Sequence, residues 1–372
     1  MLDKIVNNSS IWDLHIHTCD CPKKSSEFSK LTREKYVSEL IKIFNEHKDL
    51  SMISFTDHNQ ISIEIYREYI KQNGNVPFIV GIEVDTIFDN NPSDYKHLII
   101  YFDINKDNFE ENILFLEKLN SKINRKAIGI YDLLDFLVGS QIRFVLSPHA
   151  FKQDNRGLEY YWNNEELVEE NAHKYMDQFF CFWEAAGHSS IARAIDFLKE
   201  FDLNERISII SFSDSNNFKK LEAYLNNPYQ YFNSLPNFKG LQMIATEKKR
   251  IVRSSEIVNK NDFGNLIGKV KFNDQEIFFS NKLNTIIGGR GSGKSLLLDS
   301  IALALGNKNI NKKRAEYIQS YNVRVFNFSK NPIQEDNFEY DFFQQGYVSK
   351  LFDNGDYYNE IRNYFKDDFD KI

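Results

Sequence analysis

The stretch IWDLHIHT, residues 11–18, is a short apolar run that ends in two histidines one residue apart. In an extended chain residues i and i+2 face the same side, so His15 and His17 project together while Ile16 turns the other way. Two neutral imidazoles on one side of a strand end can grip a single metal ion. Alone, such a pair is more often packing or surface chemistry. The rest of the chain decides the matter, because it carries further ligand-type residues to the ends of further strands.

Working outward, the β-like runs up to about residue 215 are SSIWDLHIH, LSMISFTDH, VPFIVGIEV, KHLIIYF, IRFVLSPH, QFFCFWEA and RISIISFSD. Amphipathic segments lie between several of them. One spans residues 32–45, with Tyr36, Val37, Leu40, Ile41 and Phe44 at helical spacing. Others span 61–72, stopping at Gly74, then 108–123 and 190–201. Strands alternating with helices predict a parallel sheet, and seven short buried strands predict a closed or nearly closed α/β barrel. Asp57 and His58 follow the second run, Glu83 ends the third, His149 follows the fifth and Asp214 the seventh, while Glu184 lies near the end of the sixth. His97 departs from the rule, since it opens its strand. Each is readable as an isolated polar terminus. In a barrel, however, the carboxyl ends of the strands share one rim, and a rim of histidines and carboxylates needs cations to offset repulsion and desolvation.

Apolar residues make up 42% of the 372 and aromatics 15%, enough for real cores and too much for disorder. A net charge of −7 announces no global nucleic-acid binder, so any such surface must be local. Three cysteines, Cys19, Cys21 and Cys181, fit a reducing, cytoplasmic setting with ordinary thiols better than a disulfide scaffold. There is no apolar signal core at the start and no run long enough to span a membrane.

The series DLHIHT, SFTDHN, GIEV, HLIIYF, SPHA and SDSN resembles the PHP (polymerase and histidinol phosphatase) family over roughly residues 9–245, in the family's order. The resemblance implies a distorted seven-stranded (β/α) barrel, two or three Zn, Mn or Fe ions, and phosphoesterase or nuclease activity. By motif it implies that His15 and His17 hold one metal with Glu83 and Asp214, that Glu83 bridges to a second held by His97 and His149, and that His58 serves a third. Asp57, His58 and His149 are the candidate catalytic residues. In two places the chain departs from the family. Asn216 stands where the family usually has a histidine, and TCDCPKK lacks another; Asp20 or Cys21 is the available substitute there. Both departures fall on the position served by His58, so a two-metal site is expected, with the third position weak or absent. A pair of ions roughly 3.5–4 Å apart can activate a water and clamp the attacking and leaving oxygens of a phosphate ester.

Past residue 245 the texture changes. Residues 246–262 read as a polar linker between a domain at 1–245 and a second at 263–372. There Gly288, Gly289, Arg290, Gly291, Ser292, Gly293, Lys294 and Ser295 match G-x-x-x-x-G-K-[ST], with LNTII before them as a predicted strand and an apolar helix from Ser295 to about Leu305 after, stopped by Gly306. Glycines let the backbone wrap phosphates at a helix start, Lys294 reaches the β and γ phosphates of ATP, and the Ser295 hydroxyl holds Mg²⁺. LNTIIGGRGSGKSLLLDSIALAL resembles the N-terminal lobe of an ABC or SMC-like ATPase head, and DFFQQGYVSKLF resembles its Q-loop, with Gln345 as the candidate and Gln344 as fallback. No LSGG-type segment and no apolar run ending in paired acids follows. Either the missing lobe is expected from a longer chain or a partner, or the head is vestigial; self-association through heads follows from the resemblance.

The leading expectation is a metal-dependent nuclease acting on DNA or RNA under ATP control, of the kind the paired resemblance implies for bacterial anti-phage defence. Clusters Lys248-Lys249-Arg250 with Arg253, and Lys312-Lys313-Arg314, are readable as phosphate contacts or as solvated charge. The alternatives are a phosphatase of a small molecule or nucleotide, and a non-catalytic scaffold or nucleic-acid sensor whose assembly ATP drives.

Overall fold

The computed structural model describes residues 9–22, 28–88, 93–150, 156–161, 180, 182–200, 202–254, 266–273, 275–280, 283–307, 310–327, 331–333, 338 and 340–343. They form two compact units, Ser9–Ile257 and a second drawn from residue 258 onward. Both are mixed α/β, and each is described by itself.

In the first unit the chain runs β1 (Ile11–Ile16), α1 (Arg33–Glu46), β2 (Leu50–Phe55), α2 (Ile63–Lys71), β3 (Val80–Ile87), β4 (Tyr95–Phe102), α3 (Ile113–Ile123), β5 (Ile128–Gly129), α4 (Ile130–Gly139) and β6 (Phe144–Ala150). It continues with β7 (Phe182–Ala185), α5 (His188–Glu200), β8 (Ser208–Ile210), α6 (Phe218–Asn226), β9 (Gln230–Phe232), α7 (Phe238–Thr246) and β10 (Ile251–Arg253). Helix α1 follows its apolar spacing: Thr32 caps it by accepting from the Lys35 amide, and Tyr36, Val37, Leu40, Ile43 and Phe44 are buried. Helix α4 had no counterpart in the sequence reading, although it buries Leu133, Leu134 and Leu137 along one side.

The main sheet has the order β5-β3-β4-β6-β7-β8, and β1 pairs with β2. The expectation of a parallel sheet fails in the middle: β3–β4 and β4–β6 are antiparallel. Residues 88–94 between β3 and β4 are too few for a crossover helix, so the chain can only turn back. Strands β6–β7, β7–β8 and β1–β2 are parallel. Single bridges, Ile16–Ser215 on one side and Ile53–Phe78 and His58–Glu83 on the other, link the β1–β2 pair to the chain leaving β8 and to the chain of β3.

Alternation along the strands sorts side chains into two layers. Ile82, Val84, Leu98, Ile100 and Phe102 join the cluster that holds the helix residues Leu40, Leu119 and Leu137. Ile99, Tyr101, Val145, Phe182 and Ile210 join Trp12, Met52 and the α7 residues Leu241 and Ile244. On the second layer's side, Glu83 and Asp85 follow the same alternation as Ile99 and His97 opposite them. The stretch expected to be a linker contributes β10, paired antiparallel with β9.

The second unit contains β11 (Ile267–Phe272), β12 (Gln275–Phe278), α8 (Lys294–Ala304), α9 (Lys312–Gln319) and β13 (Val323–Asn327). The strands form an antiparallel sheet of order β12-β11-β13, and Val270, Ile301, Leu305 and Val325 make its core. LNTII, predicted as a strand, is not one: residues 283–287 join no ladder among the described residues, and Leu283 and Ile287 are 91% and 88% exposed. A strand needs a neighbour to take its backbone groups, and β11–β13 do not extend to this segment. Among the described residues no helix is long and apolar enough to cross a membrane.

Candidate metal centre

Five imidazoles surround one buried carboxylate. His15 Nε2, His17 Nε2 and His58 Nδ1 lie 3.5, 3.6 and 3.1 Å from Glu83 Oε2. His97 Nδ1 and His149 Nδ1 lie 2.5 and 3.4 Å from Glu83 Oε1. Glu83, His15 and His149 are fully buried, and His17, His58 and His97 nearly so. The topology explains the convergence. Parallel pairing brings the ends of β1 and β2 together, and antiparallel pairing sets His97, near the start of β4, opposite Asp85, near the end of β3. His97 thus reaches the same rim although it opens its strand. On the parallel side, His149 sits opposite Glu184.

Asp214 completes the first group, with Oδ1 3.1 Å from His17 Nε2 and 3.6 Å from His15 Nε2. It adopts a left-handed φ of 45°, unusual for a side-chain-bearing residue, and is partly exposed at the mouth. Lys220 on α6 stands beside it, donating to the Asp214 carbonyl. All the histidines and acids expected as ligands are therefore brought together: ligand atoms of His15, His17 and Glu83 lie within 4.8 Å of one another, as do those of Glu83, His97 and His149.

The surrounding residues hold this arrangement. His15 Nδ1 lies 2.7 Å from Glu184 Oε1, and Tyr101 Oη donates to Glu184 Oε2 at 3.4 Å. Burial pulls the His15 pKa down, but the carboxylates of Glu184 and Asp214 outweigh it and hold the group well above the usual histidine range. Asp57 is buried beside His17, with Oδ1 3.8 Å from His17 Nδ1. It accepts from the Thr18 amide at 2.6 Å, the Thr18 hydroxyl at 2.5 Å and the Ser62 hydroxyl. Burial raises its pKa against the opposing pull of His17 and these hydrogen bonds. Asp13 accepts from the Ser213 amide at 3.1 Å, and burial pushes its carboxyl up to about 7. Of the suggested substitutes, Cys21 is buried with Sγ 3.7 Å from His17 Nδ1, whereas Asp20 pairs with Arg33 at 2.8 Å. Sequence reading left Asp85 out; its i+2 spacing from Glu83 was the available signal.

The residues fit divalent cations. His15 Nε2 is buried within 3.6 Å of two carboxylate oxygens, yet it makes no hydrogen bond among the described residues. Mixed imidazole and carboxylate donors are the set that suits Zn, Mn or Fe.

In the second unit, Gly291 and Gly293 take φ values of 81° and 88°, and α8 begins at Lys294. Lys294 Nζ donates to the carbonyls of Gly288 and Gly289 at 2.6 and 2.8 Å, closing the loop on itself. A Cβ on Gly288 would meet the Ser292 hydroxyl at 2.4 Å. Gln344 and Gln345 lie outside the described residues. The basic clusters lie largely at the surface, with Lys249, Lys312, Lys313 and Arg314 exposed, and several of their cations bond within the chain. Lys248 donates to the Asn204 carbonyl, Arg250 pairs with Glu247, Arg253 donates to the Ile209 carbonyl, and Arg314 pairs with Asp299.

No curated protein matches the chain. Among solved structures it is similar to a protein assigned as a metal-dependent phosphoesterase from Bifidobacterium adolescentis, at 10% identity over 69% of this chain and 99% of that one, with a TM-score of 0.35. It is similar to PsfC from Pseudomonas syringae, at 13% identity over 57% and 79%, with a TM-score of 0.34. An amidohydrolase from Chromobacterium violaceum shares 13% identity over 55% and 87%, with a TM-score of 0.33. Residues 265–371, which include the closed glycine loop and α8, match the family model of the AAA domain.

Proposed function

We propose that the first unit is a metal-dependent phosphoesterase that hydrolyses nucleic acid, and that the AAA-type unit binds ATP and controls it. The observation that carries this reading is the gathering of five imidazoles around both oxygens of Glu83. In it the linked strands β1–β4 and β6–β8 are a closed barrel with its chemistry on one rim. His15, His17, Glu83 and Asp214 would hold one divalent ion, and Glu83, His97 and His149 a second. Such ions supply Lewis acidity to a phosphoryl oxygen and lower the pKa of a water. The chain's own residues set the geometry. Glu184 fixes the tautomer of His15 so that Nε2 faces Glu83. Asp57 acts as a positioning residue, tying the end of β1 to the loop after β2. Lys220, beside Asp214 at the mouth, would meet a substrate phosphate.

In the second unit Lys294 and Ser295 would meet the nucleotide phosphates and Mg²⁺. In this reading a second lobe, from a longer chain or a partner, would cover the exposed Leu283 and Ile287. The defence setting and self-association through heads stand on the resemblance. A second reading, a phosphatase of small esters, is favoured by one observation: Lys248, Arg250, Arg253 and Arg314 of the basic clusters are already engaged by carbonyls and carboxylates of the chain.

The test is cleavage of single- and double-stranded DNA and RNA with Mn²⁺, comparing wild type with a His15→Ala, His17→Ala double variant, with and without ATP. Polymer cleavage that vanishes in the variant is the expected result. A metal-loaded protein that cleaves only small phosphate esters would move the assignment to the second reading.

A further inference from the structure

Beside the Glu83 cluster lies a grouping that the family resemblance does not give, because it includes Asp85. His58, Asp85 and His97 are nearly buried, and one ligand atom of each lies within 4.8 Å of the others. Asp85 and His97 are directly opposite in the β3–β4 ladder, and His58 bridges to β3 at Glu83. The Asp85 carboxylate is aimed. Asn59, in a left-handed conformation with φ 52°, accepts from the Asp85 amide at 2.7 Å and donates Nδ2 to Asp85 Oδ2 at 2.8 Å. That clamp leaves Oδ1 turned toward His97 Nε2, 3.4 Å away.

The two ring nitrogens of His97 thus face two different carboxylates. Nδ1, at 2.5 Å from Glu83 Oε1, has the contact of an N–H donating to a carboxylate. A neutral imidazole has one N–H, so Nε2 then offers its lone pair toward the Asp85 oxygen. One ligand atom of His58 lies within 4.8 Å of those of Asp85 and His97, so a cation among the three would take a donor from each.

We propose that His58, Asp85 and His97 hold a divalent first-row cation at a position separate from that of His15, His17, Glu83 and Asp214, with His97 serving it through Nε2 in place of the ion beside Glu83 and His149. Two imidazoles and one carboxylate suit Mn, Fe, Co or Zn over Ca or Mg. The third position expected to be weak is thereby rebuilt on Asp85 instead of on residue 216. The inference rests on reading the Glu83 cluster as a metal centre and reassigns His97 within it.

The test is a titration of chelator-stripped full-length chain with Mn²⁺, following the free ion by electron paramagnetic resonance. Asp85→Asn keeps the shape of the side chain, and it is expected to bind one ion fewer than wild type, or one ion at least ~10-fold more weakly. Asn59→Ala keeps all three ligands and is expected to weaken the same ion by roughly 10-fold; it serves also if Asp85→Asn does not fold. The His15→Ala, His17→Ala variant should keep the Asp85-dependent ion. Equal ion number and affinity in wild type, Asp85→Asn and Asn59→Ala would overturn the proposal. A wild type that takes up no Mn²⁺ would overturn both this proposal and the Glu83 reading. If Asp85→Asn loses an ion while the double histidine variant loses none, the Glu83 reading falls and this site stands.

Discussion

At the scale of single residues, Glu83 is the hub, because each of its oxygens serves histidines from different strands. Removing a shared ligand should cost more than removing an orienting partner, whose loss typically lowers metal affinity by about 10–100-fold. Glu83→Gln is therefore expected to weaken Mn²⁺ binding by more than ~100-fold and to abolish phosphoesterase activity, read by titration and by ester hydrolysis. Glu184 belongs to the orienting class, buried behind His15 and held by Tyr101. Its Glu184→Gln variant should bind Mn²⁺ about 10-fold more weakly with its secondary structure intact, checked by titration and circular dichroism. An unchanged affinity would show that packing alone sets the His15 ring.

Elements explain how the rim is assembled. The reversal between β3 and β4 sets His97 opposite Asp85, so one antiparallel pair delivers what a purely parallel sheet would place at the far end. Helix α6 begins directly after the Asp214 loop, capped by Asn217, whose side chain accepts from the Lys220 amide at 2.9 Å. Asn217→Ala should cost about 1 kcal/mol in a thermal melt. Helix α7 closes the inner layer, and Gly240 within it packs directly on the Leu235 carbonyl, which an added Cβ would meet at 1.8 Å. Helix propensity alone favours Gly→Ala by about 1 kcal/mol. Here the clash with backbone dominates, so Gly240→Ala is expected to destabilise the first unit by roughly 1–3 kcal/mol. A raised melting temperature would show that the Leu235 turn yields.

For the whole molecule, ions and nucleotide bound as proposed would act as ligands of the folded state. Each ion held at 100 times its Kd adds about 2.7 kcal/mol to stability. Stripping with a chelator should therefore lower the melting temperature of the first unit by roughly 5–10 °C per ion, and Mn²⁺ should restore it. The second unit has its own sheet, core and closed glycine loop. Lys294→Ala should abolish ATP binding, measured with a fluorescent nucleotide, and leave the number of Mn²⁺ ions taken up unchanged.

By itself the sequence determined the parts that depend on local order. HxH in a strand points two imidazoles one way, helical spacing buries Tyr36 to Phe44, and the glycines of 288–295 make a loop that opens a helix. It also supplied the ligand-type residues now found around Glu83, because strand ends are visible as breaks in apolar runs. Only tertiary structure decided which atoms meet. The antiparallel turn-back of β4, the aiming of Asp85 by Asn59, and the bonding of Asp57 to Thr18 and Ser62 depend on pairing register and on side-chain hydrogen bonds between segments distant in sequence. The same holds for LNTII: its apolar pattern suits a strand, but a strand exists only where a neighbour accepts its backbone hydrogen bonds.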